Sequence, residues 1–165
     1  MKPIKGKIIV LGDDVDTDQI LPGYAMAEPM EQLGDFAMAG LAGVDFKAVY
    51  EPGGILVAGR NFGCGSSREQ APIALKQVGV SLVIAKGFAR IFRRNCINIG
   101  LPVWAADLVG EVKTGDRAEI DLEQGRAAVN GREFSFPPLS PSTLKTLEYG
   151  GLIPRIRAEL AIEEK

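Results

Sequence analysis

Apolar and polar positions alternate along the first two thirds of the chain in a way that predicts strands and helices in turn. Short apolar runs predict buried or extended strands at 7–11, 55–59, 81–85 and 101–105. Apolar residues at three- and four-residue steps predict a helix ending near Val78, and residues 88–97 have a helical pattern as well. Strands that alternate with helices are typical of βαβ units and a parallel sheet.

The pattern changes after about residue 110. Residues 118–122 and 127–129 predict antiparallel strands, and Asn130-Gly131 predicts a tight hairpin turn into residues 133–136. Residues 140–149 predict a capped helix that ends at a pair of glycines. We therefore expect one α/β domain over residues 1–165, in which a small, partly parallel core meets a β-rich periphery.

Composition and charge restrict the class of protein. The chain has 165 residues, of which 46% are hydrophobic and 24% charged, so a disordered chain is excluded. Its 19 Lys and Arg against 21 Asp and Glu give a formal net charge of −2, which gives no reason to expect nucleic acid as a partner. No apolar run reaches the about 18 residues that a transmembrane helix needs, and the N-terminus lacks the apolar segment of a signal peptide. We expect a cytoplasmic protein without membrane contact.

Two scarce residue types narrow the chemistry further. Histidine is absent, which excludes Ser-His-Asp and Cys-His catalysis and most zinc sites. Cysteine occurs only at Cys64 and Cys96, whereas an iron–sulfur cluster usually needs about four thiolates. We therefore predict that this chain carries no metal. Without a histidine to activate it, Cys64 is interpreted as a packing or incidentally placed residue rather than a nucleophile.

A glycine-rich stretch, residues 63–68, lies between a predicted strand and a predicted helix. Its GxGxxR pattern departs from the GxGxxG of dinucleotide sites, so a nucleotide site is disfavoured. Ser66 with Glu69, or Ser67 with Gln70, fits a helix capping box, and only one serine can cap the helix. The other hydroxyl is then free beside Arg68, whose planar guanidinium suits a carboxylate. Pro72 lies near the end of the first turn if Ser67 caps, and otherwise the helix begins nearer Ala71.

An acidic segment at 13–18 matches the first calcium ligands of an EF-hand at Asp14, Asp16 and Asp18. The match fails at Gln19, where the loop needs Gly, and at Ala25, where it needs a bidentate Glu. We interpret these aspartates as part of a solvated turn that satisfies local backbone N–H groups.

Positive charge recurs at helical spacing at Lys86, Arg90, Arg93 and Arg94. Such a stripe could contact phosphates. A solvated or partner-facing helix is the favoured interpretation.

Three segments carry a longer and more specific pattern: DVDTDQILP at 14–22, GRNFGCGSSRE at 59–69 and IAKGFARIFRRN at 84–95. Together they resemble the small, swivelling subunit of the aconitase superfamily, in particular that of 3-isopropylmalate dehydratases. The resemblance implies a β/β/α swivel domain and a hydro-lyase of leucine biosynthesis, which isomerises 2-isopropylmalate to 3-isopropylmalate by dehydration and rehydration. It also implies a large-subunit partner, in a heterodimer or heterotetramer, that holds the [4Fe–4S] cluster and leaves no cofactor on this chain.

The resemblance assigns roles to individual residues. Ser66 matches the catalytic base, which removes a proton from a substrate carbon. The residues that match the family's contacts to a malate-type substrate are Arg68, Ser67, Thr17 and Asp18. Arg68 matches the arginine that binds a substrate carboxylate. In this assignment Ser67 and Gln70 form the capping box, which leaves the Ser66 hydroxyl for chemistry.

A loop around Tyr24 and Met26 is the candidate specificity loop. In relatives that handle an additional carboxylate this loop resembles Y-L-R-T, and its arginine pairs with the distal acid. Here Met26 stands at the arginine position, and a thioether suits a branched alkyl group instead. The loop therefore favours isopropylmalate over homocitrate.

Two classes of alternative stay open. One keeps the mechanism and changes the substrate, as in the small subunit of a homoaconitase or of a dimethylmalate or methylcitrate hydro-lyase. The other is a non-catalytic, swivel-like binding domain, which would need no cluster-bearing large subunit.

Overall fold

The computed structural model describes residues 1–163, which contain seven strands and six α-helices. The strands are β1 (Ile4–Val10), β2 (Ile55–Ala58), β3 (Leu82–Ala85), β4 (Val103–Ala105), β5 (Arg117–Asp121), β6 (Arg126–Val129) and β7 (Arg132–Ser135). The α-helices are α1 (Thr17–Ile20), α2 (Phe46–Val49), α3 (Gln70–Gln77), α4 (Arg90–Asn98), α5 (Pro141–Glu148) and α6 (Leu152–Glu163). Two 3-10 segments, Gly23–Ala27 and Met30–Phe36, lie between α1 and α2.

All seven strands form one mixed sheet in the order β4-β3-β2-β1-β5-β6-β7. Strands β1 to β4 pair in parallel, whereas β1 pairs with β5 antiparallel and the β5–β6–β7 meander continues in that sense. The predicted α/β class, with a parallel core and a β-rich periphery, is confirmed. Strand β1 joins the two halves, because it is the strand that both of them share.

Two hydrophobic clusters lie on the two sides of the parallel half. Alternate residues of β2 divide between them: Leu56 and Ala58 pack under the helices, whereas Ile55 and Val57 pack with residues of the antiparallel half. All four side chains are buried, as expected for parallel strands that are covered on both faces. The sheet therefore curls, so that its antiparallel half covers one face of the parallel half and helices α3 and α4 cover the other, while α5 adds Leu144 and Leu147 to the cluster that the antiparallel half covers.

The hairpin and α5 follow their local sequence signals closely. Asn130 and Gly131 have φ values of 51° and 76°, the left-handed pair that a tight turn between β6 and β7 requires. The Ser140 side chain accepts a hydrogen bond from the Thr143 N–H at 3.2 Å, so it caps α5 as predicted. Within residues 1–163, no helix combines the length and the apolar character that crossing a bilayer requires.

The carboxyl ends of β1, β2 and β3 meet at one edge of the parallel half. The chain leaves β1 for the acidic segment, β2 for the glycine-rich turn and β3 for the segment before α4. Parallel sheets commonly place ligand sites at this edge. The three segments that carry the family resemblance therefore lie together.

Candidate functional site

A glycine-rich turn, residues 59–69, connects β2 to α3 and forms the centre of the site. Gly63 and Gly65 have φ values of +84° and +108°, which other residues rarely adopt. A methyl group at Gly63 would overlap the ring of Phe92, so the turn also packs directly on α4. The glycines thus allow a tight backbone path that brings Ser66 to the surface between two elements.

The acidic segment before α1 runs beside this turn and is bonded to it. The Thr17 N–H donates to the Cys64 carbonyl at 2.8 Å, and the Gly63 N–H donates to the Val15 carbonyl at 2.8 Å. The buried Thr17 side chain accepts a hydrogen bond from the Ser66 N–H at 3.0 Å. Thr17 therefore fixes the backbone of Ser66 from inside the protein.

The Ser66 hydroxyl is held by the residue two positions further on. Its Oγ accepts hydrogen bonds from the Arg68 N–H at 3.1 Å and from the Arg68 Nε–H at 2.9 Å. Two donors, one of them cationic, converge on this oxygen and favour negative charge there. Within residues 1–163, no further hydrogen bond engages the terminal amino groups of the Arg68 guanidinium.

The predicted capping box is wrong. Helix α3 begins at Gln70, and Glu69 occupies the cap position without a side-chain hydrogen bond. The Ser66 oxygen is occupied by Arg68, and Ser67 lies too far before the helix to cap it. Pro72 is the third residue of α3. The backbone N–H groups of the first turn have no carbonyl partner within an α-helix, so the N–H that proline lacks costs no helical hydrogen bond there.

A shallow, narrow pocket opens between the turn and α1. Its lining residues are Thr17, Asp18, Leu21, Met26, Ser66, Arg68 and Ala71. Five of these are candidates from the sequence, although they come from three separated stretches of the chain. Leu21 and Ala71 are additional apolar lining residues; Leu21 lies inside the 14–22 motif, whereas Ala71 was predicted only as one face of a helix.

The other two candidates lie outside this pocket. Ser67 lines a neighbouring open depression between the glycine turn and the start of α4, and its carbonyl accepts a hydrogen bond from Asn95 Nδ2 at 3.3 Å. Tyr24 is 67% exposed, and its ring packs edge-on against Phe36 with centroids 6.0 Å apart. The structure therefore separates Tyr24 from Met26, although both belong to one loop.

The acidic segment is organised by hydrogen bonds. Asp16 accepts a hydrogen bond from the Gln19 N–H at 2.8 Å and so caps α1. Asp13 accepts one from the Arg60 N–H at 2.7 Å, and this bond lowers the pKa of the Asp13 carboxyl. These contacts agree with the predicted turn that satisfies local N–H groups.

The two cysteines differ in exposure, but the thiol pKa is raised in both. Burial raises the pKa of the Cys64 thiol, and the nearby carboxylates of Asp16 and Asp14 raise it further. Burial alone raises the pKa of Cys96, which lies in the core. Both thiols are therefore disfavoured as thiolates, the form that nucleophilic attack and metal binding require.

The donor set of this chain does not fit an iron–sulfur cluster. In the part of the chain that the structure describes, no three His, Cys, Asp or Glu side chains come together as a metal-binding group. The sequence supplies only two cysteines, whereas such clusters usually need about four thiolates. We therefore assign no step of chemistry on this chain to a bound metal.

Comparisons with known proteins agree with one another. The family described as Aconitase C-terminal domain matches residues 39–106. The 3-isopropylmalate dehydratase small subunit of Thermodesulfovibrio yellowstonii is 41% identical over 98% of each chain. The methanogen homoaconitase small subunit of Methanothermobacter thermautotrophicus is 48% identical over 91% of this chain and 88% of its own. A crystal structure of 3-isopropylmalate dehydratase from Methanocaldococcus jannaschii superposes with a TM-score of 0.91, at 40% identity over 98% of each chain.

Proposed function

The chain belongs to the 3-isopropylmalate dehydratase small-subunit family of the aconitase superfamily, and from this premise we propose that it is the small subunit of such a hydro-lyase. With a cluster-bearing large subunit it would isomerise 2-isopropylmalate to 3-isopropylmalate by dehydration and rehydration, as a step of leucine biosynthesis in the cytoplasm. The observation that carries the proposal is the pocket in which Ser66, Arg68, Thr17, Asp18 and Met26 converge.

Ser66 is the proposed base. A serine hydroxyl is too weak an acid to ionise unaided at neutral pH, so its oxyanion must be stabilised by neighbouring groups. The two donors from Arg68, at 3.1 and 2.9 Å, supply that stabilisation. The Ser66 oxygen would take the proton from the carbon beside the hydroxyl-bearing carbon as the hydroxyl group leaves. Rehydration would then place a proton on the carbon that lost the hydroxyl group and the hydroxyl group on its neighbour.

Arg68 is proposed to act on both the base and the substrate. Its Nε–H is engaged with Ser66, while its two terminal amino groups point a pair of donors away from that bond. A carboxylate accepts two parallel hydrogen bonds from such a pair. One guanidinium would then fix the distance between the substrate carboxylate and the base.

The remaining candidates take supporting roles. Thr17 is proposed as a positioning residue as much as a substrate contact, because its hydroxyl already holds the Ser66 N–H. Asp18 lines the pocket and is proposed to contact the substrate. Ser67 lies at the border of the neighbouring depression, where it would add a hydrogen bond once the large subunit covers the site.

The cluster is proposed to reside on the large subunit. When bound there, it would supply a Lewis acid for the leaving hydroxyl group of the substrate. This chain would contribute the base and the carboxylate contact, and it would close the site against water. A non-catalytic binding domain would need no such partner.

The decisive experiment reconstitutes this chain with a cluster-bearing large subunit from the same genome and assays isopropylmalate turnover without oxygen. Ser66→Ala should abolish turnover and leave assembly intact, and the free energy of unfolding should fall by only about 1 kcal/mol because Ser66 caps no helix. The matched control is Ser140→Ala, which removes the α5 cap: it should cost about 1 kcal/mol of stability and keep full turnover.

Near-normal turnover of Ser66→Ala would show that Ser66 is only structural. Failure of the wild-type chain to associate with any cluster-bearing large subunit would refute the proposed function as a whole.

A further inference from the structure

The exposed face of α4 carries three arginines. Arg90, Arg93 and Arg94 are exposed, and within residues 1–163 none of them forms an ion pair or a side-chain hydrogen bond. They line a shallow groove together with Ile97 and Asn98. Three other exposed arginines do pair, Arg60 with Asp13, Arg117 with Glu51 and Arg132 with Glu111, whereas the exposed Arg126 and Arg157 form no ion pair within residues 1–163. We name Arg90, Arg93 and Arg94 the α4 arginine face.

These arginines do not serve the helix that carries them. All three lie among the first five residues of α4, where the macrodipole favours negative charge and disfavours cations. The first turn has no acidic residue, and Ala89 occupies the cap position without a side-chain hydrogen bond. A local sequence that works against its own helix points to a role outside that helix.

The α4 arginine face is continuous with the proposed active site. The Ala89 N–H donates to the Phe62 carbonyl at 2.9 Å, and the Phe92 ring packs under Gly63. Residues 89–92 and the glycine turn line the same depression, in which Ser66 and Ser67 lie. Arg90 lines both this depression and the groove of the other two arginines, and Ile91, 49% exposed, lines the depression beside it. A partner that covers Ser66 would therefore reach α4 as well.

We propose, on the basis of the proposed function, that the α4 arginine face docks on a carboxylate-rich surface of the large subunit, beside the mouth of its substrate cleft. Arginine forks bind carboxylates in pairs, which fixes orientation as well as distance. Ile91 would supply an apolar contact between the charged face and the site. In a chain with a net charge of −2, this local positive surface would also steer the approach of an acidic partner.

The test measures the affinity of this chain for the large subunit at 50 and 500 mM NaCl. The variant is Arg93→Glu/Arg94→Glu, which leaves Arg90, the arginine nearest the glycine turn, in place. We expect its Kd at low salt to rise by at least about tenfold, mainly through slower association, and the difference to shrink at high salt. At saturating large subunit, its turnover per complex should stay within about threefold of wild type, because docking residues do not contact the substrate.

The matched control is Lys113→Glu/Arg126→Glu, which makes the same change in net charge at exposed cations on the antiparallel half. Its Kd should stay within about twofold of wild type. An Arg93→Glu/Arg94→Glu variant that binds like wild type would overturn the proposal, and so would equal weakening of both double variants.

The same variants test whether a second copy of this chain, rather than the large subunit, binds the α4 arginine face. If Arg93→Glu/Arg94→Glu changed the oligomeric state of this chain alone and left its affinity for the large subunit intact, the α4 arginine face would be a self-interface and the proposal would be wrong. A wild-type chain that gives no binding signal would instead overturn the proposed function, and the docking proposal with it.

Discussion

Substitution of Met26 by arginine should convert the substrate preference. Met26 is half-buried in the 3-10 segment Gly23–Ala27 and lines the pocket with Ser66 and Arg68. Leu21 and Ala71 are the other apolar residues that line this pocket. A branched alkyl group fits such a wall, whereas a second carboxylate would lie against a thioether that cannot pair with it.

The size of the effect follows from burial. An isopropyl group that packs on Met26 gains about 2 kcal/mol from the apolar area removed from water, which corresponds to about thirtyfold in kcat/KM. An unpaired carboxylate at the same place would cost several kcal/mol more. Met26→Arg removes the first contribution and pairs the carboxylate. We therefore expect the ratio of kcat/KM for isopropylmalate over homocitrate to fall by at least about a hundredfold.

The assay is anaerobic turnover of both acids by the reconstituted complex, with wild type, Met26→Arg and Met26→Leu compared. Met26→Leu keeps an apolar side chain of similar volume, so its ratio should stay close to wild type. A wild-type preference for homocitrate would contradict the substrate assignment. The comparison matters because a homoaconitase small subunit is among the relatives, at 48% identity. An unchanged ratio in Met26→Arg would show that Met26 does not contact the substrate.

Three further predictions concern the turn and its neighbours. Arg68→Lys keeps the charge but loses both the pair of guanidinium donors and the Nε–H donor to Ser66. The transition-state stabilisation measured by kcat/KM should therefore fall by about 2 kcal/mol or more, and equal activity would contradict carboxylate binding by Arg68. Cys64→Ser should keep turnover, and the wild-type Cys64 thiol should react slowly with iodoacetamide at pH 7, because burial and nearby carboxylates raise its pKa. Asp13 has a pKa below its unfolded value of 3.8 because the Arg60 N–H donates to it, so its ionised form stabilises the fold above that pH and loses this effect as the pH falls through the folded pKa. The difference in unfolding free energy between wild type and Asp13→Asn, measured in urea, should therefore shrink between pH 5 and pH 2, and a constant difference would refute this.

Much of the fold could be predicted because local signals and tertiary structure agree. The β-branched runs become β1 to β3, and Asn130-Gly131 makes the predicted turn. Helix α6 was not predicted, because it buries no residue completely and its apolar residues form no clear stripe. The short α1 and the 3-10 segments were missed for a related reason: four to seven residues are too few for a periodic pattern to be read.

The candidate site, like the fold, could be predicted from the sequence only in part. The motifs identified which residues to consider, and the structure brings most of them to one pocket. The capping prediction failed because the spacing of Ser67 and Gln70 matches a capping box whether or not the helix begins between them. The contact of Arg68 with Ser66 depends on the path of the turn, which no sequence pattern shows. The bond from the Ser66 N–H to Thr17 joins residues far apart in sequence, so no local pattern could reveal it. The roles assigned to these residues stay predictions.

The central place of β1 in the sheet bears on how the chain folds during synthesis. Strand β1 leaves the ribosome before the other six strands and its parallel neighbour β2 is the next strand to follow, whereas its antiparallel neighbour β5 is made only after the whole parallel half. The parallel half, with the glycine turn seated on α4, can therefore assemble while one edge of β1 is still unpaired. An open strand edge next to apolar side chains is a template for pairing with other chains. A pause in translation between β4 and β5 should consequently promote aggregation more than a pause after β7, when that edge has been closed.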